Sequence, residues 1–129
     1  DDLLSKMTLE QKVGQMFLFG FKGTTLTPQL KWILRELKPG SLILFGRNIK
    51  SLDQISKLNQ DLQSYSQKHA KKPLFLALDQ EGGAVLRIKT TPPMPSAYTI
   101  GSTNNPDLAN KAGKVTGDML KIFKFRFCL

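Results

Sequence analysis

The feature that most constrains this chain is a set of three short apolar runs, Met16 to Phe21, Leu42 to Phe45 and Leu74 to Asp79, each closed by glycine or a polar cluster. Short continuous apolar runs are what strands buried on both faces of a parallel sheet require. Segments of helical period separate them. Thr27-Pro28 opens the first as N-cap and first-turn proline, Leu30, Ile33, Leu34 and Leu37 share one face, and Pro39-Gly40 ends it. Ser51 with Gln54 forms a capping box for a second helix carrying Leu52, Ile55, Leu58, Leu62 and Tyr65. Asn105-Pro106 opens a third, with Leu108, Ala112, Val115, Met119 and Ile122 along one stripe expected to face the core. Thr8 with Gln11 repeats the box pattern, so Asp2 to about Gln15 reads as one or two short helices. Phe123 to Leu129 is the remaining strand candidate.

Strands alternating with helices imply right-handed parallel crossovers and an α/β fold. Periodicity leaves two architectures open, a small doubly wound sheet such as a flavodoxin-like domain or about half of an eight-stranded (β/α)8 barrel. Both gather ligands at the carboxyl ends of the strands. Gly20 to Thr25, Gly46 to Asn48 and Asp79 to Gly83 should therefore converge. A length of 129 residues and 40% hydrophobic content fit one folded domain over residues 1–129, which the family resemblance described below makes a partial one.

The formal charge of +9 is spread from Lys6 to Arg126, with no zinc-type Cys/His spacing and no base-stacking aromatic signature. No nucleic-acid partner is expected. No apolar run is long enough to span a bilayer. The chain opens on Asp1-Asp2 without a basic-then-apolar leader, and because it does not begin with Met, both the cytoplasm and export to the cell envelope stay open. Cys128, the single cysteine, reads as a small buried hydrophobe. His69, the single histidine, reads as a helix-end residue, and Trp32 as partly core-packed.

Asp79 ends an apolar strand and is followed by Gln80, Glu81, Gly82 and Gly83, so polar groups emerge where the backbone turns tightly against a ligand. A capped turn with solvated acids is the bland alternative. Asp79 and Glu81 stand two apart on one turn, poorly placed to flank a scissile bond, so the cluster reads as substrate binding rather than as acid or nucleophile. Arg87 is placed to clamp Asp79 or a ligand hydroxyl. Arg47, at the end of the second strand, could pair with Asp79 across loops or line the pocket beside Glu81. No phosphate loop is present, since the acidic turn would repel an anion. No metal and no organic cofactor is assigned.

With these residues in place, the chain resembles family 3 glycoside hydrolases over essentially its whole length, nearest the β-N-acetylhexosaminidase branch. Residues Leu9 to Phe17 (LEQKVGQMF) look like the family's opening helix and first strand, and Leu44 to Ile49 (LFGRNI) like its second strand and loop. Asp79-Gln80-Glu81-Gly82-Gly83 with Val85 and Arg87 is the most specific piece, and Pro95-Ser96-Ala97 and the helix from Pro106 follow in order. The resemblance implies retaining hydrolysis of β-linked N-acetylglucosamine in peptidoglycan or chitin fragments, without a cofactor, on a TIM (β/α)8 barrel of which this chain is the N-terminal half. It implies sugar-binding roles for Asp79 and Arg87. The family's nucleophile and acid/base lie further along than this chain reaches, so no catalytic residue is assigned and an inactive fragment is expected. The alternative is a non-catalytic sugar-binding module. An open half-barrel would also expose strand edges and favour oligomers. Two departures stand out: Ala84 where that branch commonly has Arg, and Lys124-Phe125-Arg126-Phe127 in place of Gly-Phe-Asn-Phe. As a regular strand, that segment would put Lys124 and Arg126 on one buried face.

Overall fold

The computed structural model describes residues 2–128. Four strands, β1 (Leu18–Gly20), β2 (Ser41–Leu44), β3 (Phe75–Leu78) and β6 (Phe127–Cys128), form one all-parallel sheet in the order β1-β2-β3-β6. Strict chain order is what successive β/α units of a barrel produce. A doubly wound sheet reverses its order at a switch point, so the flavodoxin-like alternative is overturned.

Three crossover helices cover the outer face: α3 (Pro28–Glu36), α4 (Leu52–His69) and α6 (Pro106–Ile122). Thr27 and Ser51 cap the first two through their hydroxyls, as the sequence suggests. Alternate strand residues Leu42, Leu44, Leu76 and Leu78 are fully buried against Leu30, Leu34, Ile55, Leu58 and Leu62. Burial of each such leucine contributes about 1.5–3 kcal/mol, which makes this sheet-to-helix layer the core. Ahead of β1, α1 (Asp2–Ser5) and α2 (Leu9–Gln15) realise the two-helix reading, with the Thr8–Gln11 box intact. Trp32 is half exposed, and His69 ends α4 with its ring 4.2 Å from that of Tyr65.

Five expectations need correction. The first apolar run is only partly strand, because Met16 is the C-cap of α2, β1 spans only Leu18–Gly20, and Met16, Phe17 and Leu18 are exposed. On α4, Gln54 takes the amide of Lys50 rather than that of its cap residue, so the box at Ser51 is only half formed. The stripe on α6 does not face the core: Leu108, Val115 and Ile122 are 42%, 53% and 71% exposed, and only the C-terminal turn docks, through Leu120, Met119 and Phe123. The last strand is shorter than Phe123 to Leu129. Lys124 lies in a left-handed turn (φ 61°) closing α6, and both Lys124 and Arg126 are exposed, so no buried charge pair arises. Leu129 lies outside the described residues. Cys128 is exposed on the terminal strand, its Sγ 3.6 Å from the Gln80 carbonyl. Two elements had no periodic signal: the hairpin β4 (Gln80–Gly82) with β5 (Val85–Leu86), and the short helix α5 (Ala97–Gly101).

A side chain held left-handed costs about 1–2 kcal/mol, which glycine escapes, though glycine also loosens the unfolded chain by about 0.4–1 kcal/mol. Lys124→Gly should therefore stabilise the fold by roughly 0.5–1 kcal/mol in urea unfolding. A drop in stability would show that the lysine side chain itself supports the turn.

Candidate functional site

Asp79 is the first residue beyond β3, and parallel pairing puts it on the same rim as the loops after β1 and β2. Its Oδ2 accepts from Arg87 Nη2 at 3.2 Å, and the two side chains are 19% and 31% exposed. The structure therefore brings together the two residues to which the resemblance gives sugar-binding roles. Between them the chain makes the β4–β5 hairpin, and the double glycine has a steric reason there. Gly82 and Gly83 both adopt left-handed φ, 85° and 60°. A Cβ on Gly82 would run into the Pro95 carbonyl, and the Gly83 amide donates to the Met94 carbonyl at 2.9 Å.

Gln80, which the sequence placed among the polar groups emerging toward a ligand, turns inward instead. Its buried carboxamide accepts from the amides of Arg87 (2.9 Å) and Ile88 (3.0 Å) and donates to the Ile88 carbonyl (2.7 Å). One side chain thus fixes the backbone that carries Arg87. A glutamine beside a double glycine has no periodicity to reveal this, because its partners lie across a hairpin.

The neighbouring loops are locked in the same manner. Asn48, fully buried, accepts from the Phe45 amide (2.9 Å) and donates to the carbonyls of Phe21 (3.1 Å) and Gly23 (2.7 Å). Gln54 reaches back from α4 to the carbonyls of Thr24 (2.7 Å) and Asn48 (3.1 Å). Arg87 closes the group, since a Cβ added at Gly46 would lie 4.0 Å from its Cδ. The three loops converge as the sequence implied.

Arg47 and Glu81 are placed differently. Arg47 is exposed, donates from Nε to the Phe21 carbonyl (3.2 Å) and sets its guanidinium 4.5 Å from the centre of the Phe45 ring. Its ties are to the first loop, and the ion partner of Asp79 is Arg87. Glu81 is exposed and lines a cleft of about 340 Å³ with Met94, Pro95, Ile100 and residues of α6. Buried Arg87 Nε has no hydrogen-bond partner, which leaves one donor beside the Asp79 carboxylate. Among the described residues, no three His, Cys, Asp or Glu side chains stand close enough to hold a metal ion.

Gln80→Leu removes three hydrogen bonds and strands two buried amides, at about 1–3 kcal/mol for each unsatisfied group. Destabilisation of roughly 2–4 kcal/mol in urea unfolding is expected. A neutral result would mean that the hairpin holds Arg87 without the clamp.

A family model described as the glycosyl hydrolase family 3 N-terminal domain matches residues 8–122. Beta-hexosaminidase A of Pseudoalteromonas piscicida is 44% identical over 99 residues, covering 64% of this chain and 17% of that protein. An uncharacterized secreted glycosyl hydrolase of Arthroderma benhamiae is 33% identical over 118 residues, covering 90% of this chain and 33% of that protein. The chain thus spans a third or less of the length of these curated relatives. Among solved structures, a glycoside hydrolase family 3 beta-N-acetylglucosaminidase from Paenibacillus sp. str. FPU-7 superposes over 95% of this chain and 24% of its own, with a TM-score of 0.89 and 30% identity. Strand order, rim geometry and these likenesses agree, and the chain belongs to the glycosyl hydrolase family 3 N-terminal domain family.

Proposed function

We propose that the Asp79–Arg87 pair is part of the sugar pocket of a β-N-acetylhexosaminidase-type glycoside hydrolase, acting with retention on β-linked N-acetylglucosamine in peptidoglycan or chitin fragments. The observation that carries this reading is the pair itself: a half-buried carboxylate held at the rim of a parallel sheet by an arginine whose Nε is still unpartnered. A carboxylate offers acceptors to sugar hydroxyls, and the partly exposed guanidinium beside it offers donors. Two of the three similar proteins also support it: one is a beta-hexosaminidase and one a beta-N-acetylglucosaminidase. Arg47 belongs to the pocket wall in this reading. Glu81, turned into the cleft beside α6, contributes at most at its margin.

Retaining hydrolysis needs a nucleophile and an acid/base about 5–5.5 Å apart across the scissile bond. Glu81 sits in the separate cleft and does not complete such a pair with Asp79. The reactive groups are assigned to sequence beyond these 129 residues, so the chain by itself binds sugar and does not turn it over. The terminal strands β1 and β6 also favour association between chains.

Calorimetry with N-acetylglucosamine oligomers tests the pocket. Asp79→Ala should weaken binding about tenfold or more, the loss that goes with one charge-assisted hydrogen bond. Unchanged affinity in that variant would remove Asp79 from the site. Nitrophenol release from a β-N-acetylglucosaminide by the purified wild-type chain would contradict the assignment of the reactive groups elsewhere.

A further inference from the structure

We infer that the end of the sheet opposite the Asp79 rim is a docking surface for the anionic face of a phospholipid bilayer, carried by three strained lysines, Lys38, Lys71 and Lys124. The inference is independent of sugar recognition. Each loop that carries it runs between two described elements of this chain.

The three crossover helices end alike. Leu37, Ala70 and Phe123 are the C-caps of α3, α4 and α6, and the next residue is in every case a lysine in the left-handed region, at φ 46°, 59° and 61°. Glycine takes this position without strain and is its usual occupant. Attraction to the helix dipole does not account for the lysines, because Arg35, Lys68 and Lys121 already supply a cation in the last turn of each helix. The other non-glycine residue held left-handed among those described is Asn104, which lies ahead of α6 at the Asp79 end, and asparagine tolerates that region. Strain repeated three times at one end of the fold points to a use for the side chains there.

The loops after these helices lead into β2, β3 and β6, so they lie together at the amino ends of parallel strands. From the last helical turn to the strand, segments 33–40, 66–74 and 119–126 hold eight Lys or Arg and one carboxylate, Glu36, which Arg35 takes at 2.6 Å. The segments at the carboxyl ends, 21–31, 45–55 and 79–109, hold six Lys or Arg and four acids. Residues 1–17 add two cations and three acids, which leaves the basic excess in place. Among the described residues, Lys38, Lys68, Lys71, Lys72, Lys124 and Arg126 have no carboxylate partner. Long lysine side chains spread over three loops suit a surface of distributed charge better than one small anion, which needs converging donors. The aromatic residues of these loops, Phe123 and Phe125, pack against the core and offer no platform for stacking bases. A bilayer rich in anionic lipid meets both conditions, and docking there leaves the Asp79 rim facing away.

Flotation of the intact chain with vesicles tests this, using equal parts of phosphatidylcholine and phosphatidylglycerol against phosphatidylcholine alone. Binding is expected to the anionic vesicles only, and should fall as salt rises. Lys38→Gly with Lys71→Gly and Lys124→Gly should weaken it about a hundredfold, the change that about 1 kcal/mol per cation implies. The same variant should unfold at higher urea, because three strained positions are relieved. A structural role for the lysines would instead lower that midpoint. A control of equal charge at exposed positions of the other end, Lys22→Ala with Lys50→Ala and Lys89→Ala, should bind within about twofold of the wild type. Equal losses in the two triple variants, or a glycine variant that binds as well as the wild type, would overturn the inference. Capture of polyphosphate or a DNA duplex with no binding to anionic vesicles would assign the surface to a soluble polyanion and overturn it too.

Discussion

Parallel pairing of β2 with β3 is the constraint on which the rest of the structure depends. Four consecutive residue pairs, from Ser41 with Phe75 to Leu44 with Leu78, put the two strands in register. Parallel neighbours need a crossover, so α4 must lie over the sheet, and its buried face of Ile55, Leu58 and Leu62 meets Leu42, Leu44, Leu76 and Leu78. The same register carries Phe45 and Asp79 past the sheet at one height. The loop that holds Asn48 and the hairpin that holds Arg87 then emerge side by side. Site geometry is therefore a consequence of strand direction, with side-chain clamps at Asn48, Gln54 and Gln80 setting the finer positions.

Those clamps share one physical logic. A loop at the rim of an open sheet has few apolar contacts, so buried amides must supply its order, each satisfied by backbone groups of another segment. Asn48 ties the second loop to the first, and Gln80 ties the two arms of the hairpin to each other. The glycines complete the design where a side chain cannot fit, as at Gly82 against the Pro95 carbonyl. Within this frame Arg87 keeps one nitrogen buried and unpartnered, at a cost in stability.

Much of this was legible in the residues. The three apolar runs and the capped helices gave the α/β alternation, and Asp79 followed by a double glycine marked the rim. Features that depend on what lies beside an element were not legible. The α6 stripe has the period of a core-facing helix, yet as the outermost crossover helix it docks only through its last turn. Lys124 has no strand-breaking chemistry, so its left-handed turn hid inside an apparently alternating segment. The Gln80 clamp spans a hairpin formed by residues with no periodic pattern. Strand order separated the two architectures that periodicity had left open.

Side-chain nitrogen NMR of Arg87 tests the central claim most directly, because the account places that guanidinium in the sugar pocket. Titration with N-acetylglucosamine should shift the Arg87 Nε–H resonance saturably while that of Arg35, exposed in the last turn of α3 and paired with Glu36, stays fixed. Saturable binding that leaves the Arg87 resonance unmoved would contradict the placement of the pocket at the Asp79 rim.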